Sequence, residues 1–219
     1  MNPNSSRPTT EMMAAIARRA LGEAYEVHPV TVPDGPPMIV TEPALAAAVP
    51  HVVAAGLAAR AEGACAGILV GAFGDPGVEE LRAATDVPVA GLAESALTEA
   101  AAQGAHFGIA TTTPGLAASI AAGVDRLGLT DRYTGLRLTT GDPQLLAASP
   151  ELMRERLALA VEACLVQDAA DTVVIGGGPL GDAAWWLQTR FATPVVAPVP
   201  AACRRIARAL SAPPPTPSG

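Results

Sequence analysis

The stretch Gly67 to Leu81 reads GILVGAFGDPGVEEL, and Asp86 to Ala90 follows as DVPVA. A short apolar run closes on a glycine, Asp75-Pro76-Gly77 opens a helical stretch, and a second apolar run comes after it. The same order returns later: Thr172 to Pro179 reads TVVIGGGP, and Thr193 to Ala197 reads TPVVA. Apolar runs too short for a helix, alternating with helical segments, are strand–helix–strand units of a parallel sheet. Working outward, the periodicity predicts helices over Thr10–Leu21, Leu45–Glu62, Asp75–Thr85, Glu94–Gln103, Pro114–Leu127, Pro150–Gln167, Leu180–Thr189 and Ala201–Leu210. Strands are expected at Tyr25–Thr31, Gly67–Gly71, Val87–Ala90, His106–Ala110, Arg137–Thr140, Thr172–Ile175 and Pro194–Ala197. The fold class is α/β with parallel sheets, and the internal repeat builds it as two pseudo-symmetric lobes. One lobe is expected from residues 1–94 plus 201–210 and the other from 95–200; the Pro-rich residues 211–219 are expected to be disordered. Ligands of such sheets bind beyond the carboxyl ends of the strands, so the cleft between the lobes is where a site is expected.

The 219 residues are 50% hydrophobic and 16% charged, enough for a sizeable core. All 14 basic residues are arginine. Without lysine there is no Schiff base for covalently held pyridoxal phosphate and no Walker A loop. A net charge of −7 argues against a nucleic-acid or anionic-membrane partner. No run of 18 apolar residues lacks a charge or a Pro/Gly break, so no membrane span is expected. The N-terminal MNPNSSRPTT has no basic and apolar leader pattern. Cys65, Cys164 and Cys203 are far apart, without CxxC spacing, and read as small buried hydrophobes of a cytoplasmic protein rather than metal ligands.

Taken together, Asn2-Pro3-Asn4-Ser5, Gly67–Leu81, Val87–Glu94 (VPVAGLAE), Phe107–Pro114 (FGIATTTP), Thr172–Pro179 and Pro194–Ala202 carry a pattern. In that order and spacing the chain resembles the aspartate/glutamate/hydantoin racemase superfamily, on its hydantoin and allantoin racemase branch. The resemblance implies an enzyme that works without a cofactor on a small molecule held between two Rossmann-like lobes; a homo-oligomer is also expected. It also implies two cysteines, one per lobe, that pass a proton across the substrate's α-carbon. Those cysteines would follow Gly71 and Gly176, where this chain has Ala72 and Gly177. The acidic residue that the pattern places after the last strand is missing from Val196-Ala197-Pro198.

The remaining candidates sit in the strand-end loops. Asn4, Ser5, Ala72, Phe73, Gly74, Thr111, Thr112, Thr113, Gly177 and Gly178 would bind substrate through backbone N–H groups and hydroxyls, which suit a carboxylate or imide oxygen. The threonine run equally fits a strand end with a hydroxyl-capped helix. Glu94 and Asp75 are the candidate acids; Asp75 also fits an N-cap of the helix begun by Pro76, and Glu94 a helix cap or surface charge. Asp182 carries the same two readings. His106 precedes its strand, at the wrong end for the cleft. Of Trp185 and Trp186, one is expected in the core and the other along the cleft or an oligomer interface.

The reading is an isomerase-like enzyme acting on a carboxylate, hydantoin or related imide by non-cysteine acid/base chemistry: isomerisation, decarboxylation, cyclisation or elimination. Its rivals are a ligand-binding pseudoenzyme and a partner subunit. One more expectation concerns Met1: Asn2-Pro3-Asn4-Ser5 resembles a loop that follows a first strand, and an apolar stretch upstream of Met1 is expected to supply that strand.

Overall fold

The computed structural model describes residues 1–63, 65–142, 145–146 and 148–212. Among these are eight α-helices: α1 (Arg7–Leu21), α2 (Glu42–Ala61), α3 (Val78–Ala84), α4 (Leu92–Gln103), α5 (Ala117–Arg126), α6 (Pro150–Val166), α7 (Gly181–Arg190) and α8 (Pro198–Ser211). The strands are β1 (Ile68–Val70), β2 (Val89–Gly91), β3 (Phe107–Thr111), β4 (Tyr133–Leu138), β5 (Thr172–Ile175) and β6 (Val195–Val196). They form two parallel sheets, β1-β2 and β4-β3-β5-β6. The inner strands of the second sheet, β3 and β5, are apolar and buried along their whole length because helices cover both faces, whereas the edge strand β4 is half-buried.

The expected strand over Tyr25–Thr31 does not form. Only Thr31 makes a bridge, to Asn2. Pro29 and Pro33 lack the N–H a ladder needs, and the partner is short. Met1 and Asn2 pair on two sides: Gly71 N donates to Met1 O (2.8 Å), Asn2 N to Val30 O (2.7 Å) and Val32 N to Asn2 O (3.1 Å). Beneath them runs a groove of about 580 Å³ lined by Val27, Val30, Leu69, Cys203 and Ile206, among others.

Most helices begin elsewhere than expected: α1 and α2 start three residues earlier, where Ser6 and Thr41 cap them, and α4 starts two earlier, at Leu92. α3 starts at Val78, because Asp75 (φ 55°) and Gly77 (φ 75°) hold the chain in left-handed turns. α5 is preceded by a 3₁₀ turn over Pro114–Leu116. α8 starts at Pro198, where a proline loses nothing because the first N–H groups of a helix have no partner. Ser211, expected to open a disordered tail, is its last residue; residues 213–219 lie outside the described residues. α2 is long and apolar enough to cross a membrane by length and composition alone. Here it carries Pro50 and Arg60 and packs on α3 through Val52 and Gly56.

α8 follows the last strand of the second sheet and returns to α1 and α4, burying Pro198, Val199, Pro200, Ala201, Ala202 and Cys203. Two ion pairs fasten it to α4: Arg204 grips Glu99 at 2.6 and 2.9 Å, and Arg205 lies 3.6 Å from Glu94. α1, α4 and α8 thus share one core cluster with Phe73 of the first lobe and Phe107, Ile109 and Val174 of the second.

Candidate functional site

Three strand-end loops and the segment after the Thr31 bridge converge. The loop after β1 meets the loop after β5 directly. A Cβ built on Gly178 would lie 3.3 Å from Gly71 O, 2.6 Å from Met13 Sδ and 3.0 Å from Leu92 Cδ1. The loop after β3 is tied to the same place, since Thr111 Oγ1 donates to Gly176 O at 2.6 Å. The segment between Val32 and Thr41 closes the ring. A Cβ on Gly35 would meet Pro3 O at 2.6 Å, and one on Gly115 would meet Val40 O at 2.4 Å. This segment was not foreseen as part of the site; Gly35 and its flanking prolines were the only available signal.

The Asn2–Ser6 turn is built on a buried side chain. Asn2 Nδ2 donates to Asn4 Oδ1 (2.8 Å), Ser6 O (3.1 Å) and Thr10 Oγ1 (3.0 Å), and Thr10 shares a 2.6 Å bond with Thr31. Asn4 Oδ1 also accepts from Ser6 N, so its amide NH₂ is the group left to donate. Asn2 and Thr10 therefore shape the loop, and no local pattern marks Thr10 for this role.

Three expected binding residues change role. Thr111 is fully buried, and its hydroxyl is spent on Gly176. Phe73 has its ring in the core, so only its N–H is on offer. Gly177 donates its N–H to Ile175 O. Ser5, Thr112 and Thr113 are half-buried, and among the described residues their hydroxyls have no protein partner. Among the described residues the N–H groups of Phe73, Gly74 and Gly178 also have no protein partner. The arrangement is a ring of neutral donors suited to carbonyl or carboxylate oxygens. Thr111→Val should cost about 1–3 kcal/mol, because a buried carbonyl loses its donor. Urea unfolding measures this, and Thr111→Ser should recover most of the loss.

Both candidate acids are engaged, which corrects the expectation that they face the substrate. Asp75 does not cap its own helix. Its carboxylate crosses to α4 and accepts from Ala93 N (2.8 Å) and Glu94 N (2.7 Å). Burial pushes its pKa up to about 7, against those two N–H groups and the Arg126 charge; the Glu94 charge adds to the rise. Glu94 is buried; it accepts from Gly91 N (3.1 Å) and Arg82 Nη2, with Arg205 beyond. It locks α3, α4 and α8 together.

The thiols lie elsewhere. Cys164 is on α6 beneath β3, 3.7 Å from Ile109 O, and burial pushes it up to about 12. Cys203 is buried on α8 and pushed up to about 11. Cys65 is half-buried, not buried as expected, and reaches Gly67 O. His106 is exposed at the amino end of β3, as expected. Trp185 and Trp186 are both half-buried: Trp185 stacks under Arg19 at 3.9 Å and Trp186 packs on the second-lobe cluster. Among the described residues no group of three His, Cys, Asp or Glu could hold a metal.

The family model described as Asp/Glu/Hydantoin racemase matches residues 1–206. This chain belongs to the Asp/Glu/hydantoin racemase family. A hydantoin racemase of Paenarthrobacter aurescens is 28% identical over 204 residues, 93% of this chain and 86% of that protein. The structure of allantoin racemase from Klebsiella pneumoniae superposes with a TM-score of 0.90 at 25% identity, covering 100% of this chain and 94% of that one. A glycine-to-cysteine mutant of arylmalonate decarboxylase shares the fold, with a TM-score of 0.66 at 18% identity over 91% of this chain and 89% of that one. Within this racemase-family fold, Ala72 and Gly177 stand at matching strand ends of the two lobes, one after β1 and one after β5.

Proposed function

We propose that this chain holds a hydantoin, a related cyclic imide or a small carboxylate between its lobes, and acts on it without a thiol. The observation that carries this is the ring of unpartnered neutral donors: Ser5, Thr112, Thr113 and the N–H groups of Phe73, Gly74 and Gly178. An imide presents carbonyl oxygens that such donors can meet, and an enolate formed from it would be held by the same groups. Its relatives' names supply the substrate class and the isomerase-type chemistry. With Ala72 and Gly177 unable to move a proton, the α-carbon proton goes to a single carboxylate, Asp75 released from the N–H groups of Ala93 and Glu94, and the same group returns it, so turnover is one-sided proton transfer rather than racemisation.

A second reading, in which the ligand is held without turnover, is favoured by one observation. Asp75 and Glu94 are both committed to caps and ion pairs, and neither can reach a substrate without giving these up.

The test is incubation of hydantoins, amino acids and malonates in D₂O, with NMR of the α-carbon and calorimetric titration. Exchange without loss of optical activity supports the enzyme reading; binding without exchange supports the second. Fast racemisation overturns both. Thr112→Val should weaken binding by roughly 0.5–3 kcal/mol, depending on whether its hydroxyl meets a neutral or a charged oxygen. An unchanged titration would remove Thr112 from the site.

A further inference from the structure

The three glycines after β5 are packed from three directions. A Cβ on Gly176 would lie 3.0 Å from Thr111 Cβ, and one on Gly178 would run into Met13 and Leu92. Gly177 differs. Its backbone is extended (φ 174°, ψ 132°), a conformation any residue adopts. What crowds a side chain there is Leu180, whose Cδ1 and Cγ would lie 2.8 and 3.0 Å from the added Cβ. The turn that folds Leu180 back is closed by its own N–H on Gly177 O (3.3 Å). Leu180 is 7% exposed and packs with Ala183, Ala184 and Leu187. On the facing lobe, Ala72 already carries a methyl group and is half-buried. The two halves of the cleft are therefore unequal. One presents a short side chain, and the other presents bare backbone with a leucine in the space a side chain at 177 would take.

We propose that Leu180 is a specificity-determining residue of this cleft. By filling the volume over Gly177 it closes the second-lobe side to a branched substituent, so the site takes imides that are unsubstituted or bear a small group at the ring carbon. This rests on the imide-binding reading above. Of the side chains that pack the glycines, Thr111 ties two loops, and Met13 and Leu92 meet Gly178 where the loops after β1 and β5 touch. Leu180 belongs to the second lobe's own turn, and shortening it opens space without parting the lobes.

The experiment is calorimetric titration of the full chain with hydantoin and with 5-isobutylhydantoin, for the unaltered protein, Leu180→Ala and Leu180→Met. A few methylenes of pocket space are worth about tenfold or more in discrimination. The unaltered chain should prefer hydantoin by about that factor, Leu180→Ala should lose the preference with its hydantoin Kd held within about twofold, and Leu180→Met should keep it. An unchanged ratio in a Leu180→Ala protein with native near-UV circular dichroism overturns the assignment. If Leu180→Ala does not fold, Leu180→Val decides it: a ratio between the other two supports the role and an unchanged ratio overturns it. Failure of both hydantoins to bind any of the proteins overturns the imide reading itself, and the role of Leu180 with it.

Discussion

Gly91→Ala should destabilise the protein by about 2–5 kcal/mol, the sum of an overpacked core position and a lost helix cap. Gly91 ends β2 and has φ −88°, which alanine adopts freely, so the backbone is not the reason. The reason is the Asp75 carboxylate, whose Cγ would lie 2.2 Å from the new Cβ. The methyl group must evict the carboxylate from the N–H groups of Ala93 and Glu94. That uncaps α4 and releases the left-handed turn that shapes the loop after β1. Urea denaturation should show a lower midpoint with an unchanged slope. Because one contact carries the effect, Asp75→Gly combined with Gly91→Ala should cost clearly less than the two single changes summed. Strict additivity would show that Gly91 is required for another reason.

The same carboxylate gives a pH signature. Folded, Asp75 keeps its proton up to about pH 7; its ordinary value is 3.8. Between those values the folded chain binds more protons than the unfolded one. The stability Asp75 contributes is therefore complete below pH 4 and is lost as the pH rises through 7. Asp75→Asn should flatten that part of the profile.

Ending the chain at Ala197 should abolish cooperative folding. α8 buries Val199 and Cys203 almost completely, with Ile206 packed beside them. At about 1.5–3 kcal/mol for each fully buried apolar side chain, its removal forfeits much of the roughly 5–15 kcal/mol by which a domain of this kind is stable. It also leaves Glu94 with only Arg82, and Glu99 without its arginine. Calorimetry should show no sharp transition for the truncated chain, whereas Arg204→Ala should still melt as one unit. A truncated chain with the original midpoint would mean that the shared cluster of α1, α4 and α8 is not what joins the lobes.

The strand–helix–strand units were legible because their apolar runs and closing glycines are local signals. The same is true of the Gly71 and Gly176 loops. What could not be read was decided by partners distant in sequence. Asp75-Pro76 looks like a helix start, yet its carboxylate caps a helix that begins at Leu92. Glu94 reads as a helix-cap or an acid, and only the fold brings Arg82 and Arg205 to it. The threonines of the run Thr111–Thr113 are equivalent on paper. The first ends a strand and turns inward; the other two lie beyond the sheet with free hydroxyls. Pro198 and Pro200 looked like loop residues, although helix starts tolerate proline.

The four-stranded sheet ends in two edges, and neither invites another chain. β4 pairs with β3 through a register shift that leaves Thr134 unmatched between Tyr133 and Gly135, and Gly135 has φ 135°. Such an irregularity twists the open side of the strand away from the flat ladder that a neighbouring molecule would need. β6, at the opposite edge, has only two residues. The apolar strands between them, β3 and β5, would be strongly adhesive if bared, and in the native protein they are reached only by unfolding. In concentrated solution, clumping should therefore track the unfolded fraction and not the native concentration.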